Sequence, residues 1–164
     1  MALVDISQIQ YAGSKYSSVV IVDASGGLRV SPSLYLADLS VNGKSINTVR
    51  NYGYRLDTFF DVVEYSVLDW KQIQQKHISA YINLYLSQKL KLSDSSINGH
   101  IAAVSGFFDY VWEFGFVEEP MKFRYSIVDK GIERKPNDKI KYTASNLIKK
   151  YMSKDQFLAL VETI

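Results

Sequence analysis

Asn47, Arg50, Asn51 and Tyr54 fall on one side of a helical wheel drawn through "SINTVRNYGYRLDTFF" (45–60). Lys44 just precedes that stretch, and Thr48 lies in its first turn. An ordinary solvated helix face mixes Lys with Glu. This one offers amide, guanidinium, hydroxyl and phenol groups instead. Asn and Arg can form the paired hydrogen bonds presented by adenine and guanine edges. Groups gathered at the start of a helix also sit beside free backbone N–H groups and the positive end of the macrodipole, which suit phosphate oxygens.

A second set has the same character. "SSINGHIAAVSGFFDYVWEFG" (95–115) opens with Ser95, Ser96, Asn98 and Gly99. Its polar side is small, with Gly99, Ala102 and Gly106 along it. A glycine inside a helix costs about 1 kcal/mol relative to alanine. The expectation is that another helix or a ligand approaches this backbone closely. Both helices turn acidic only toward their far ends, at Asp57, Asp61 and Glu64 in one and at Asp109 and Glu113 in the other.

Catalytic and metal chemistry finds little support. His77 and His100 have no second ligand at metal-binding spacing. The chain has no cysteine, so disulfides, thiolate zinc sites and cysteine nucleophiles are excluded. "ASGG" (24–27) lies between two expected strands, so it reads as a turn and not as a phosphate loop. The i, i+4 carboxylate pairs Asp57/Asp61 and Asp109/Glu113 have no partner base. The reading is of a binding module without a cofactor or small-molecule substrate.

The elements that must position these groups follow from periodicity. "SSVVIVDASGGLRVSPS" (17–33) predicts a hairpin, with Val19 to Val22 turning at "ASGG" and returning through "LRV". Ser31 as N-cap and Pro32 at the first helical position predict a short helix closing at Gly43. Val49, Tyr52, Leu56, Phe59/Phe60 and Val63 predict a buried stripe on a helix from 45 to about 65. A connector at 68–73 leads to a third helix, 75–90, with Ile78, Tyr81, Ile82 and Tyr85 inward. The fourth helix carries Ile97, Ile101, Val104, Phe108 and Val111 inward and stops at Gly115.

The chain of 164 residues, 47% hydrophobic, is long enough for one domain with a core. No apolar run approaches the ~18 residues of a membrane span, and the lack of cysteine is typical of a cytoplasmic protein. The net charge of +2 hides an asymmetry. Residues 1–120 hold 9 Lys and Arg against 12 Asp and Glu, whereas residues 121–154 hold 10 against 3. That basic tract, with Arg134 and Lys135 in "RKPNDKIK" (134–141), suits a polyanion. "YMSKDQFLALVETI" (151–164) predicts a further helix capped by Ser153.

The order of these pieces resembles the core-binding domain of phage integrases and other tyrosine recombinases. Thr48, Tyr52, Leu56 and Phe59 match its first long helix, and Trp70 and Ile73 match its connector. Ile78, Tyr81 and Ile82 match the next helix; Ser96, Ile97, Ala102, Ala103, Val104, Phe107, Phe108 and Tyr110 match the last. Gly115 and Pro120 close the pattern, which covers about residues 31–125. The resemblance implies a mainly α fold, a four-to-five-helix orthogonal bundle of SAM-like type. A small N-terminal β-hairpin (1–30) and a basic interdomain linker (126–152) would flank it. Residues 153–164 resemble the opening helix of the family's catalytic domain. The catalytic Arg, His and Tyr set would then lie downstream, and no strand cleavage is expected of this chain.

The family lays its two N-terminally polar helices across the major groove of a recombination half-site. Carried over, that role falls on Arg50, Asn51, Ser95, Ser96 and Gly99. Family members often have Lys or Arg where this chain has Ser95. The implied partners are double-stranded DNA and other recombinase protomers, with no membrane. The alternative is a helical protein-interaction module, in which Gly99, Ala102 and Gly106 form a packing groove.

Overall fold

A computed structural model describes residues 2–125, 128–129 and 132–133. Two antiparallel strands, β1 (Ala2–Tyr11) and β2 (Ser14–Val22), are followed by α1 (Val30–Val41) and α2 (Ile46–Tyr65). A 3-10 turn (Trp70–Gln72) leads to α3 (Gln75–Ala80), which continues without a break as a π-helix over Tyr81–Lys89. The last long element is α4 (Asp94–Glu113). A two-residue strand pair, β3 (Val128–Asp129) and β4 (Ile132–Glu133), lies within the stretch expected to be an extended linker. The remainder of that linker, with Arg134 and Lys135, lies outside the described residues, as does the expected terminal helix.

The core is aromatic. Phe59, Phe107 and Phe108 are fully buried among Leu36, Leu56, Ile78, Ile82, Leu86 and Ile97. Phe59 meets Phe108 at 6.0 Å and Phe60 meets Phe107 at 5.3 Å, both edge-to-face, the geometry that the ring quadrupole favours. The predicted stripe of α4 is buried at all five positions. Its end is a Schellman turn: Gly115, at φ +75°, and Phe116 donate to the Trp112 and Val111 carbonyls. The mainly helical bundle with a small N-terminal antiparallel pair is therefore the fold that the sequence implied.

Three local expectations are corrected. The hairpin turns at Ala12–Gly13, where both residues have positive φ, so β2 pairs with the upstream β1. After "ASGG" only an isolated bridge forms, between Val22 and Leu28. The cause is Asp23, whose carboxylate accepts hydrogen bonds from the Ser25 and Gly27 amides and from the Ser25 hydroxyl. That folds the segment into a closed loop. Next, α1 starts at Val30 with Arg29 at the N-cap, two residues before the expected cap at Ser31. The nearby Ser33 hydroxyl instead accepts from the Ile21 amide at 3.0 Å, tying α1 to β2. Finally, the third helix widens. With more residues per turn, the π segment carries Leu86 to full burial while Tyr85 stays only partly buried.

The hairpin is packed onto the bundle. Val19 and Ile21 are completely buried. A Cβ at Gly53 of α2 would stand 3.0 Å from Leu3 and 3.2 Å from Val19, so glycine there lets the two strands reach the helix. Arg29 bridges Asp61 at 2.9 Å and Glu64 at 2.6 Å, and lies over the Phe60 ring. It fastens the strand–helix junction to the far half of α2.

Candidate nucleic-acid interface

The start of α2 is built by Ser45. Its hydroxyl accepts the Thr48 amide at 3.2 Å and shares a hydrogen with the Thr48 hydroxyl at 2.9 Å. No acidic residue lies in the first turn of α2, so its N-terminus keeps its positive character. Asn47, Asn51 and Tyr54 are exposed along one side, Tyr54 at 60%. Lys44 and Thr48 are half-buried.

The start of α4 is different in detail. Ser93 caps it: the Ser93 hydroxyl accepts the Ser96 amide at 3.2 Å and donates to the Ser96 hydroxyl at 3.1 Å. Ser95 and Ser96 are exposed. Asp94 stands in the first turn, so this N-terminus already carries a carboxylate. Asn98 is half-buried, and its amide nitrogen has no hydrogen-bond partner among the described residues.

Arg55 of α2 meets Gly99 of α4, while Phe59 meets Phe108 and Phe60 meets Phe107. Arg55, one turn after the exposed Asn51, thus reaches the first turns of α4, where Ser95 and Ser96 are exposed. The small side of α4 is already occupied. The Arg55 guanidinium lies over Gly99, and the Tyr35 hydroxyl of α1 fills the space beside Gly106. At both glycines the close neighbour is a side chain of this same chain.

Two arginines border the exposed side of α2. Arg50 faces the hairpin, where Nε and Nη2 each donate to the Asp5 carboxylate at 3.1 Å. That pairing holds the guanidinium pKa above its usual value. Arg55 faces α4 and makes no ion pair among the described residues. Its charge, after burial, helps to pull His100 down to about 4. The Tyr81 hydroxyl lies 3.1 Å from His100 Nδ1, and burial raises that phenol. Sequence reasoning passed over Arg55. The available signal was its place one turn after Asn51 on a helix whose neighbour carries an interior glycine.

Residues 33–113 match the family model described as the phage integrase, N-terminal SAM-like domain. This part of the chain is a domain of that family, spanning α1 from Ser33 through the whole of α4. None of the curated proteins and none of the solved structures matches the chain. Among the described residues no helix is long and apolar enough to cross a membrane.

Proposed function

We propose that the chain is the DNA-binding, core-binding part of a tyrosine recombinase. It would clamp recombination half-site DNA during integration or excision of mobile DNA, without strand cleavage of its own. The parent protein would be a site-specific recombinase working in the cytoplasm alongside further protomers on the same DNA. The observation that carries this reading is the reach of Arg55 from α2 onto Gly99 near the start of α4. Exposed amides and a phenol lie on the first half of α2, and exposed hydroxyls lie at the start of α4. A duplex resting over Arg55 would meet donors from both helices. Backbone phosphates would take Lys44, Ser95, Ser96 and Arg55, and base edges would take Asn47 and Asn51. The basic tract with Arg134 and Lys135 would supply the phosphate neutralisation that the acidic body lacks.

The interaction-module reading is less favoured, because Arg55 and Tyr35 already occupy the space beside Gly99 and Gly106. The two readings separate by titrating the chain with generic duplex DNA at two salt concentrations. Affinity is expected to fall with salt, with a log–log slope of about −0.9 per phosphate contact. Replacing Asn51 and Arg55 together by alanine is expected to weaken binding by roughly 2–4 kcal/mol. Absence of binding at low salt, or a double variant that binds like the parent, would sink the proposal.

A further inference from the structure

We infer that Asp5 of the hairpin is a positioning residue: it fixes the Arg50 guanidinium so that its outer edge reads guanine in the DNA groove. This rests on the DNA-binding function proposed above. The register makes the contact. Leu3 and Asp5 are two apart on β1 and so share one face of the strand. Gly53 and Arg50 are three apart on α2 and so share one face of the helix. Leu3 packs over Gly53 while Asp5 pairs with Arg50, so β1 runs antiparallel to α2. Val19, Asp5's partner across the hairpin, is fully buried against the same glycine. The carboxylate is thus held by packed neighbours although it is itself exposed.

The chemistry of the pair then selects its ligand. Arginine has five N–H donors in a planar fork. Asp5 takes the Nε–Nη2 edge with both oxygens. The Nη1–Nη2 edge keeps two parallel donors, the pattern that matches guanine O6 and N7. The pair is electrically neutral, so its pull on a phosphate is largely cancelled. What remains is directional hydrogen bonding, which favours a base edge over the backbone. Ordering the fork before binding also removes part of the entropy cost of immobilising a long side chain.

The test is selection of bound duplexes from a pool of random sequence by the 164-residue chain. It is repeated with Asp5→Asn, Arg50→Ala and the two combined, with thermal melting as a check on folding. The parent is expected to enrich guanine at a defined position. Asp5→Asn and Arg50→Ala should each lose that preference, with discrimination against adenine there falling about tenfold. The combined variant should be no worse than Arg50→Ala alone, and Asp5→Asn should bind unselected duplex at least as well as the parent, since a negative charge is lost. An Asp5→Asn chain that binds more tightly with the preference intact would overturn the inference, because the carboxylate would then only screen Arg50. Enrichment unchanged by Arg50→Ala would overturn it as well. If the parent retains no duplex at all, the DNA-binding function itself fails, and this inference falls with it.

Discussion

Gly99 and Gly106 are the same residue type on the same side of α4, yet their neighbours differ in stiffness. Tyr35 beside Gly106 is 2% exposed and is held by edge contacts with Tyr52 and Phe107 and a tilted contact with Tyr110. Its hydroxyl cannot retreat from an added methyl group. Arg55 over Gly99 is the flexible end of a long, half-exposed side chain. Gly106→Ala is expected to destabilise by roughly 1–2 kcal/mol, overpacking outweighing the gain in helix propensity. Gly99→Ala is expected to be neutral or to stabilise by up to about 1 kcal/mol. Urea unfolding of the two variants checks the contrast. His100 gives a pH-dependence. Its folded pKa of about 4 lies below the unfolded value of about 6.5, so between these limits the unfolded chain binds the proton more readily. This contribution is complete above about pH 6.5 and is lost as pH falls toward 4. Because the ring is part-exposed, water screens the effect to the order of 1 kcal/mol. Stability of His100→Gln measured from pH 7 to pH 5 should fall less steeply than that of the parent.

At the scale of elements, α2 and α4 have equal lengths of 20 residues and the same capping chemistry, a serine hydroxyl three residues before the amide it accepts. They differ in charge: α4 has Asp94 in its first turn, and α2 has no acid there. Each cap leaves an orphan donor if the hydroxyl is removed. Ser45→Ala and Ser93→Ala are each expected to cost about 1 kcal/mol in a denaturant titration. Loss of the Ser45 cap also frays the turn that carries Asn47 and Thr48. DNA affinity should therefore drop in Ser45→Ala even where the fold remains fully populated. The π segment shows a different control. Its widened turns bury Tyr81, Ile82 and Leu86 together, and Tyr85 stacks on Tyr81 at 6.0 Å nearer the surface.

For the whole molecule, charge decides the balance. The first 120 residues sum to −3, so they oppose a polyanion unless their positive groups are locally concentrated. Residues 121–154 sum to +7 and reverse that. Changing Arg134 and Lys135 together to Gln is expected to reduce the magnitude of the salt slope by about 2, the loss of two phosphate contacts. The fold should be untouched, because the core among the described residues is built from the hairpin and the four helices, with Tyr125 as the last buried member described. Binding isotherms at several salt concentrations, beside an unchanged melting transition, check both parts.

The start of α2, the stops of α1 and α4, the buried stripes of α2 and α4 and the family pattern were legible in the residues. They rest on local spacing, capping and turn chemistry, which act within a few positions along the chain. Ser45, Gly43 and Gly115 mark their boundaries wherever the rest of the chain goes. The pairing of β2 with β1 was decided elsewhere, because two strands compete for one edge and the Asp23 loop removes the nearer candidate. So was the fate of the two arginines. Nothing near Arg50 in the sequence announces Asp5, 45 positions away, and nothing near Arg55 announces Gly99. A long side chain takes the partner that packing brings within reach, and only the closed tertiary structure sets those distances.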